Sequence, residues 1–169
     1  MNEPVIISIN IGKVAIVDQD DAEMVHSVCP WYVTATGYAA HSVRIRKGAG
    51  GWCGMKAVMM HHLVMDRLEG FQTDHINGNK LDNRKSNLRI VTIRQNQTNR
   101  PKFSGTYSSK FKGVSYHAPN RKWQARITHM GKGFYIGCFP DEISAALAYD
   151  RMASALHGEY ARLNLRLEE

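Results

Sequence analysis

A chain of 169 residues with 43% hydrophobic content can bury a real core, as one compact domain or two small ones, but not three. The net charge of +7 favours a polyanionic partner. No apolar run approaches the roughly 20 residues of a membrane span and the N-terminus lacks a signal pattern, so no membrane partner is expected and the cytoplasm is the expected location.

Val5 to Val17 alternates apolar residues around Gly12-Lys13, which predicts a β-hairpin closed by a two-residue turn. Asp20 and Glu23 have the spacing of a capping box for a short helix running to about Ser27. Trp31 to Ala35, Gly37 to Arg46 and Trp52 to Met59 are β-rich and separated by turn residues, including the glycine-rich Lys47 to Gly51. They predict a small antiparallel sheet. Met60 to Leu68 has helical apolar spacing and ends before Gly70. The cysteines Cys29, Cys53 and Cys138 form no C-x-x-C pair, so a zinc cluster or redox motif is not expected, and buried free thiols in a reducing compartment are.

From Asn83 through Pro140 there is no Asp or Glu, while twelve Lys and Arg fall between Arg84 and Lys132. Tyr107, Phe111, Tyr116, Trp123 and Tyr135 interleave with that charge, a pattern that suits nucleic acid better than a membrane surface. Arg100 to Lys110 is polar, basic and broken by Pro101 and Gly105, which predicts a linker at 100–110 between a domain of residues 1–99 and another of 111–165. Beyond it, Lys112 to Tyr116, Lys122 to His129 and Gly133 to Phe139 are expected strands, and Glu142 to Leu156 one amphipathic helix. The fold expected is α+β. An antiparallel sheet leads into a ββα motif at about 71–99, followed by the linker and a three-stranded antiparallel sheet packed on one helix.

The chemistry concentrates in Thr73 to Asn99, TDHINGNKLDNRKSNLRIVTIRQNQTN. Thr92 and Gln95 have capping-box spacing, so a helix begins near Thr92 with Asn96 one turn in. Hydrolysis of a phosphodiester needs a base for the attacking water and positive charge near the phosphate and leaving oxygen. The carboxylate of Asp74 and the amide carbonyl of Asn96 are oxygen ligands suited to one hard divalent cation, Mg2+ or Mn2+. His75 suits the base. Neighbouring residues on a regular strand point to opposite faces, so Asp74 and His75 can address one phosphate only at a twist, bulge or strand end.

Asp74-His75, Asn77-Gly78-Asn79-Lys80, Asp82-Asn83-Arg84, Ser86-Asn87-Leu88-Arg89 and Val91-Thr92 together resemble the HNH homing endonucleases of bacteriophages. The resemblance covers residues 55 to 100 closely and the preceding sheet loosely. It implies a ββα-metal nuclease with Asp74 and Asn96 as metal ligands, His75 as general base and Asn87 bracing the hairpin loop. His61 matches an upstream His that the family follows with a basic residue, where this chain has His62. The catalytic set implied is Asp74, His75 and Asn96, with Arg84 and Lys85 on the DNA.

The region from Phe111 to Leu165 resembles the DNA-binding domain of plant ethylene-response factors, the Apetala family. The match is carried by Lys112-Gly113-Val114, Lys122-Trp123, Tyr135 to Phe139, Ala145-Ala146, Ala148-Tyr149-Asp150, His157-Gly158 and Asn164. That resemblance implies a sheet face entering the major groove of duplex DNA, with Lys112, Arg121, Lys122, Trp123 and Arg126 on it. The function implied is a site-directed, homing-type DNA endonuclease that works as a monomer on double-stranded DNA, in the host cytoplasm if phage-encoded. A non-catalytic DNA-binding regulator and an RNA-directed protein are the competing readings.

Overall fold

The structure is a computed structural model, described over residues 3–47, 52–102 and 105–165. The chain is α+β and folds as two compact units, Met1–Ile93 and Arg94–Glu169.

In the first unit, strands β1 (Val5–Ser8) and β2 (Val14–Val17) pair antiparallel from Val5↔Val17 to Ser8↔Val14. The expected two-residue turn is instead a five-residue loop, Ile9 to Lys13, closed by Ile9 N–H donating to Lys13 C=O at 2.9 Å. Two successive left-handed residues, Ile11 at φ 65° and Gly12 at φ 66°, lie within its 3-10 turn, Asn10–Gly12. Helix α1 spans Gln19–Ser27, one residue before the expected capping box. Asp18, extended at its N-cap, gives its carboxylate to the Lys85 backbone N–H at 2.7 Å rather than to the helix.

Strands β3 (Tyr32–Val33), β4 (Ala39–Lys47) and β5 (Trp52–Met59) form the antiparallel sheet in the order β3-β4-β5. The expected Lys47 to Gly51 turn falls, from residue 48 on, outside the described residues. Helix α2 is only Met60–Val64, shorter than the sequence pattern, because Met65 turns extended at φ −117°, ψ 122°. One turn already buries Met60, His61 and Val64. The core joins Ile7, Val17, Val25, Trp31, Met60 and Leu88. Each such side chain contributes about 1.5–3 kcal/mol by leaving water. Cys29 is exposed in the turn after α1 rather than buried, Cys138 is half-buried, and the Cys53 side chain lies outside the described residues.

In the second unit, strands β8 (Val114–His117), β9 (Lys122–His129) and β10 (Lys132–Phe139) order as β10-β9-β8, all antiparallel. Met130 (φ 51°) and Gly131 (φ 76°) make the two-residue turn between β9 and β10, the twist that such hairpins require. An extra residue, Ile136, bulges between Tyr135 and Gly137 and packs into the core. Helix α4 (Glu142–His157) is capped by Asp141, which accepts from the Ser144 N–H at 2.8 Å, and lays Ala145, Ala146, Tyr149 and Ala153 on the sheet. Small residues let the helix approach closely. At the C-terminal end the buried Asp150 carboxylate accepts from Asn164 and Leu165 N–H, and Asn164 bonds both backbone groups of Lys112.

Residues 100–110, the expected linker, are pinned where they are described. The Lys102 ammonium donates to the carbonyls of Ser109, Phe111 and Val114 at 2.9–3.1 Å. Residues 103–104 lie outside the described set.

Candidate nuclease centre and nucleic-acid face

Strands β6 (Gln72–His75) and β7 (Leu88–Val91) form a two-stranded hairpin with Asp74 opposite Arg89 and His75 opposite Leu88. Asp74 and His75 are the last two residues of β6, at the strand end where two neighbouring side chains can escape strict alternation. Both are buried, at 7% and 4% exposure.

The loop between the strands is held by a ladder of side-chain amides. Asn87 Oδ1 accepts from the Asn77 N–H at 2.9 Å, and its Nδ2 donates to Asp82 C=O at 2.8 Å. Asn77 Nδ2 donates to Asp82 Oδ2, Asn77 Oδ1 accepts from Asn79 N–H, and Gly78 at φ 79° supplies the turn. The loop also docks on β2, with Ile16 N–H donating to Leu81 C=O and Asn83 N–H to Ile16 C=O.

Asn83 is fully buried and touches His75 directly. Its Nδ2 donates to Leu81 C=O at 3.2 Å and lies 3.3 Å from Met60 Sδ, which fixes the amide orientation and turns Oδ1 toward His75 Nε2 at 3.3 Å. An amide oxygen only accepts, so Nε2 carries the proton and Nδ1 the lone pair. Burial pushes His75 below the usual histidine range, against the upward pull of the Asn83 bond and the Asp74 charge, so the ring is neutral at pH 7. The motif string contains Asn83, but nothing local in the sequence marks it as the residue that sets the tautomer. Its zero exposure does.

His61, from α2, stands edge-on to His75 with ring centroids 5.3 Å apart and to Tyr38 at 5.2 Å. Burial, then His62 and His75, lower its pKa to about 3, and its Nδ1 has no hydrogen-bond partner. His62 is lowered by burial and by Arg67. This unit brings His61, Asp74, His75 and Asn87 together. Asn96 is carried by helix α3 (Ile93–Asn99), which starts one residue after Thr92 and runs into the second unit.

Asp74 also pairs with Arg89, whose Nε and Nη2 both reach Oδ2 at 3.0 and 2.9 Å. Among the described residues no three His, Cys, Asp or Glu side chains gather as a metal cage. The carboxylate of Asp74 is the type of oxygen ligand that suits a hard cation drawing most of its ligands from water and phosphate.

Two basic residues expected on DNA have internal partners. Arg84 forms a two-pronged pair with Asp82, at 2.8 and 2.7 Å, and Lys85 meets Asp21 at 2.8 Å. In the second unit, period-two alternation along β9 puts Ala125 and Ile127 against α4 and leaves Lys122, Gln124, Arg126 and Thr128 on the open face. Arg121 is exposed in the turn before β9. Trp123 was expected on that open face. It has the parity of Ala125 instead, packs on the helix-side core and meets Tyr116 edge-on at 5.2 Å. Arg126 lies 6.0 Å from the ring of Tyr135, its cross-strand neighbour. Lys112 also leaves the open face. Its ammonium donates to Thr98 and Arg100 carbonyls at 2.7 and 2.8 Å, and burial followed by Arg162 lowers its pKa to about 8.

Among the described residues no helix is long and apolar enough to cross a membrane. The HNH endonuclease family model matches residues 67–98. The uncharacterized HNH endonuclease L560 of Acanthamoeba polyphaga mimivirus is 40% identical over 91 residues, 54% of this chain and 46% of that protein. Protein 3.8 of Escherichia phage T7 is 30% identical over 94 residues, 56% of this chain and 76% of its own length. APETALA2-like protein 2 of Oryza sativa subsp. indica is 36% identical over 62 residues, 37% of this chain but 14% of the plant protein. The chain thus spans about half of the mimivirus relative and a small part of the plant one. The matched segment, residues 67–98 with the Asp74-His75 hairpin inside it, belongs to the HNH endonuclease family, and the chain has partial similarity to APETALA2-type proteins.

Proposed function

We infer that the protein is a DNA endonuclease whose first unit cuts and whose second unit holds duplex DNA. The observation that carries this reading is His75, a buried neutral imidazole whose tautomer is set by Asn83. Nδ1 takes the proton of a water attacking the phosphodiester, giving 3′-hydroxyl and 5′-phosphate ends. Asp74 and Asn96 would supply oxygen ligands to one divalent cation, Mg2+ or Mn2+. When bound, the cation offsets charge developing on the phosphate and leaving oxygen. Arg89 holds the Asp74 carboxylate in a fixed orientation through its Nε and Nη2 hydrogen bonds. His61 walls the ring of His75, and Asn87 holds the loop that returns from it. On the second unit, Arg121, Lys122 and Arg126 meet the duplex.

Site-directed cutting of the homing type follows from joining a cutting unit to a DNA-holding one. One nuclease centre per chain means nicking if the protein is a monomer, the second strand requiring a second event. The test is supercoiled plasmid carrying a candidate target, incubated with wild type or Asp74→Ala, in Mg2+ or chelator. Nicked product only with wild type and metal is expected. Cleavage in chelator, or full activity of the variant, contradicts the reading.

A second reading, a DNA-binding regulator that keeps the hairpin as scaffold, is favoured by one observation: the Asp74 carboxylate already has a cationic partner in Arg89. On that reading no metal stimulates cleavage and His75→Ala changes nothing.

A further inference from the structure

The second unit contains a cleft of about 770 Å³, within the roughly 300–1,000 Å³ of small-ligand sites. One wall is helix α3, through Arg94, Gln95, Gln97 and Thr98, and Asn96 does not line the cleft. The opposite wall is the far end of β9 with the C-terminal turn of α4. There His129 and His157 bring their Nδ1 atoms to 3.4 Å, with ring centroids 5.2 Å apart.

Lys112 and Arg126 also line the cleft, and among the described residues no Asp or Glu does. Burial first, and then the positive charges of His129 and Lys112, push His157 below its usual value. The imidazole pair has the spacing of two ligands on one cation, but three permanently or mostly cationic side chains around it oppose a metal ion. An anion relieves the same crowding. Arg guanidinium and imidazole N–H donors suit a phosphoryl group, and the remaining volume accommodates a sugar-sized attachment.

We propose that this cleft binds a phosphate ester, its phosphoryl oxygens seated against His129 and His157 with Arg94 at the rim. The site lies at the far end of β9 beside the C-terminal turn of α4, and it shares Arg126 and Thr128, but not Lys122 and Gln124, with the open face. It does not depend on His75 acting as a base. Two sources share the chemistry, a nucleic-acid backbone phosphate and a free phosphomonoester.

The test follows the imidazole 15N resonances of the full-length protein during titration with thymidine 5′-monophosphate, and separately with thymidine. Saturable shifts of His129 and His157 with the monophosphate but not the nucleoside are expected. Arg94→Gln and His157→Gln, checked for an unchanged unfolding midpoint, are each expected to weaken that binding about tenfold. Arg94 is exposed, so its variant keeps the test decisive if His157→Gln does not fold. Displacement of the monophosphate by a short DNA duplex assigns the phosphate to the nucleic-acid backbone, and retention assigns it to a free ester. Equal shifts with thymidine, no shift up to roughly 10 mM, beyond a millimolar site, or wild-type binding by Arg94→Gln overturns the proposal.

Discussion

The basic run that looks uniform in sequence divides at the boundary between the two units. In the first, Arg84, Lys85 and Arg89 meet Asp82, Asp21 and Asp74, so their charge is used to hold the hairpin loop and its catalytic-type carboxylate. In the second, Lys102 and Lys112 meet backbone carbonyls, Arg126 meets an aromatic ring, and the cleft of Arg94, His129 and His157 contains no described carboxylate. Charge is neutralised where geometry must be fixed and left available where a polyanion is to be met. A count of lysines and arginines cannot separate these uses, because the partner acids of the first group lie as far away as residue 21.

The comparison breaks most severely at Gly113. Its φ is +74°, and a Cβ there would meet the Tyr149 ring and lie 2.5 Å from the Arg126 carbonyl oxygen. Gly113→Ala is expected to destabilise the second unit by roughly 3 kcal/mol or more through overpacking and left-handed strain. Denaturant unfolding is expected to show that loss, while the first unit keeps its transition and its cleavage centre.

Next in size is Asn83→Leu, which removes the acceptor of His75 Nε2–H and leaves a buried donor unmatched, at a cost of about 1–3 kcal/mol to the first unit. Cleavage is expected to fall further than stability, since the ring loses its tautomer and its orientation. Equal losses in both would reduce Asn83 to packing.

The DNA face supplies a smaller and more diagnostic effect. Lys122→Ala and Arg126→Ala are each expected to lower the slope of log affinity against log salt by about one. Lys85→Ala, paired with Asp21, is expected to leave that slope unchanged. A Lys85 effect as large as that of Lys122 would erase the distinction between the two units.

The smallest effect is in acid. Hydrogen bonds and charge from Arg84 lower Asp82 below the usual carboxylate value, so its folded pKa lies below its unfolded one. The stability it contributes is complete above the unfolded value, near 3.9, and is lost as pH falls through the folded one. An acid titration of the first unit is expected to flatten below about pH 4 in Asp82→Asn, relative to wild type.

Much of this was legible in sequence where a side chain's role depends on near neighbours. Alternation and turn residues located the strands of the second sheet to within about two residues, and Thr92 marked the start of α3. Long-range partners were not legible. Asp20 looks like the cap of α1 from its spacing to Glu23, but Asp18 stands at the N-cap and Lys85 N–H takes its carboxylate. Trp123 looks like a DNA-reading aromatic until the pairing of Val114 with Ala125 fixes which parity faces α4. Lys112 looks like a phosphate contact until the carbonyls of Thr98 and Arg100 close around it. The Asp74-His75 pair was legible as chemistry, while Asn83, which orients its imidazole, emerged only from burial.

The most direct test of the central claim is paired measurement on one preparation of His75→Ala: Mg2+-dependent plasmid cleavage and affinity for the same DNA. The account predicts cleavage reduced by about 10²–10⁴ with affinity within a factor of about three. Wild-type cleavage by the variant would contradict it.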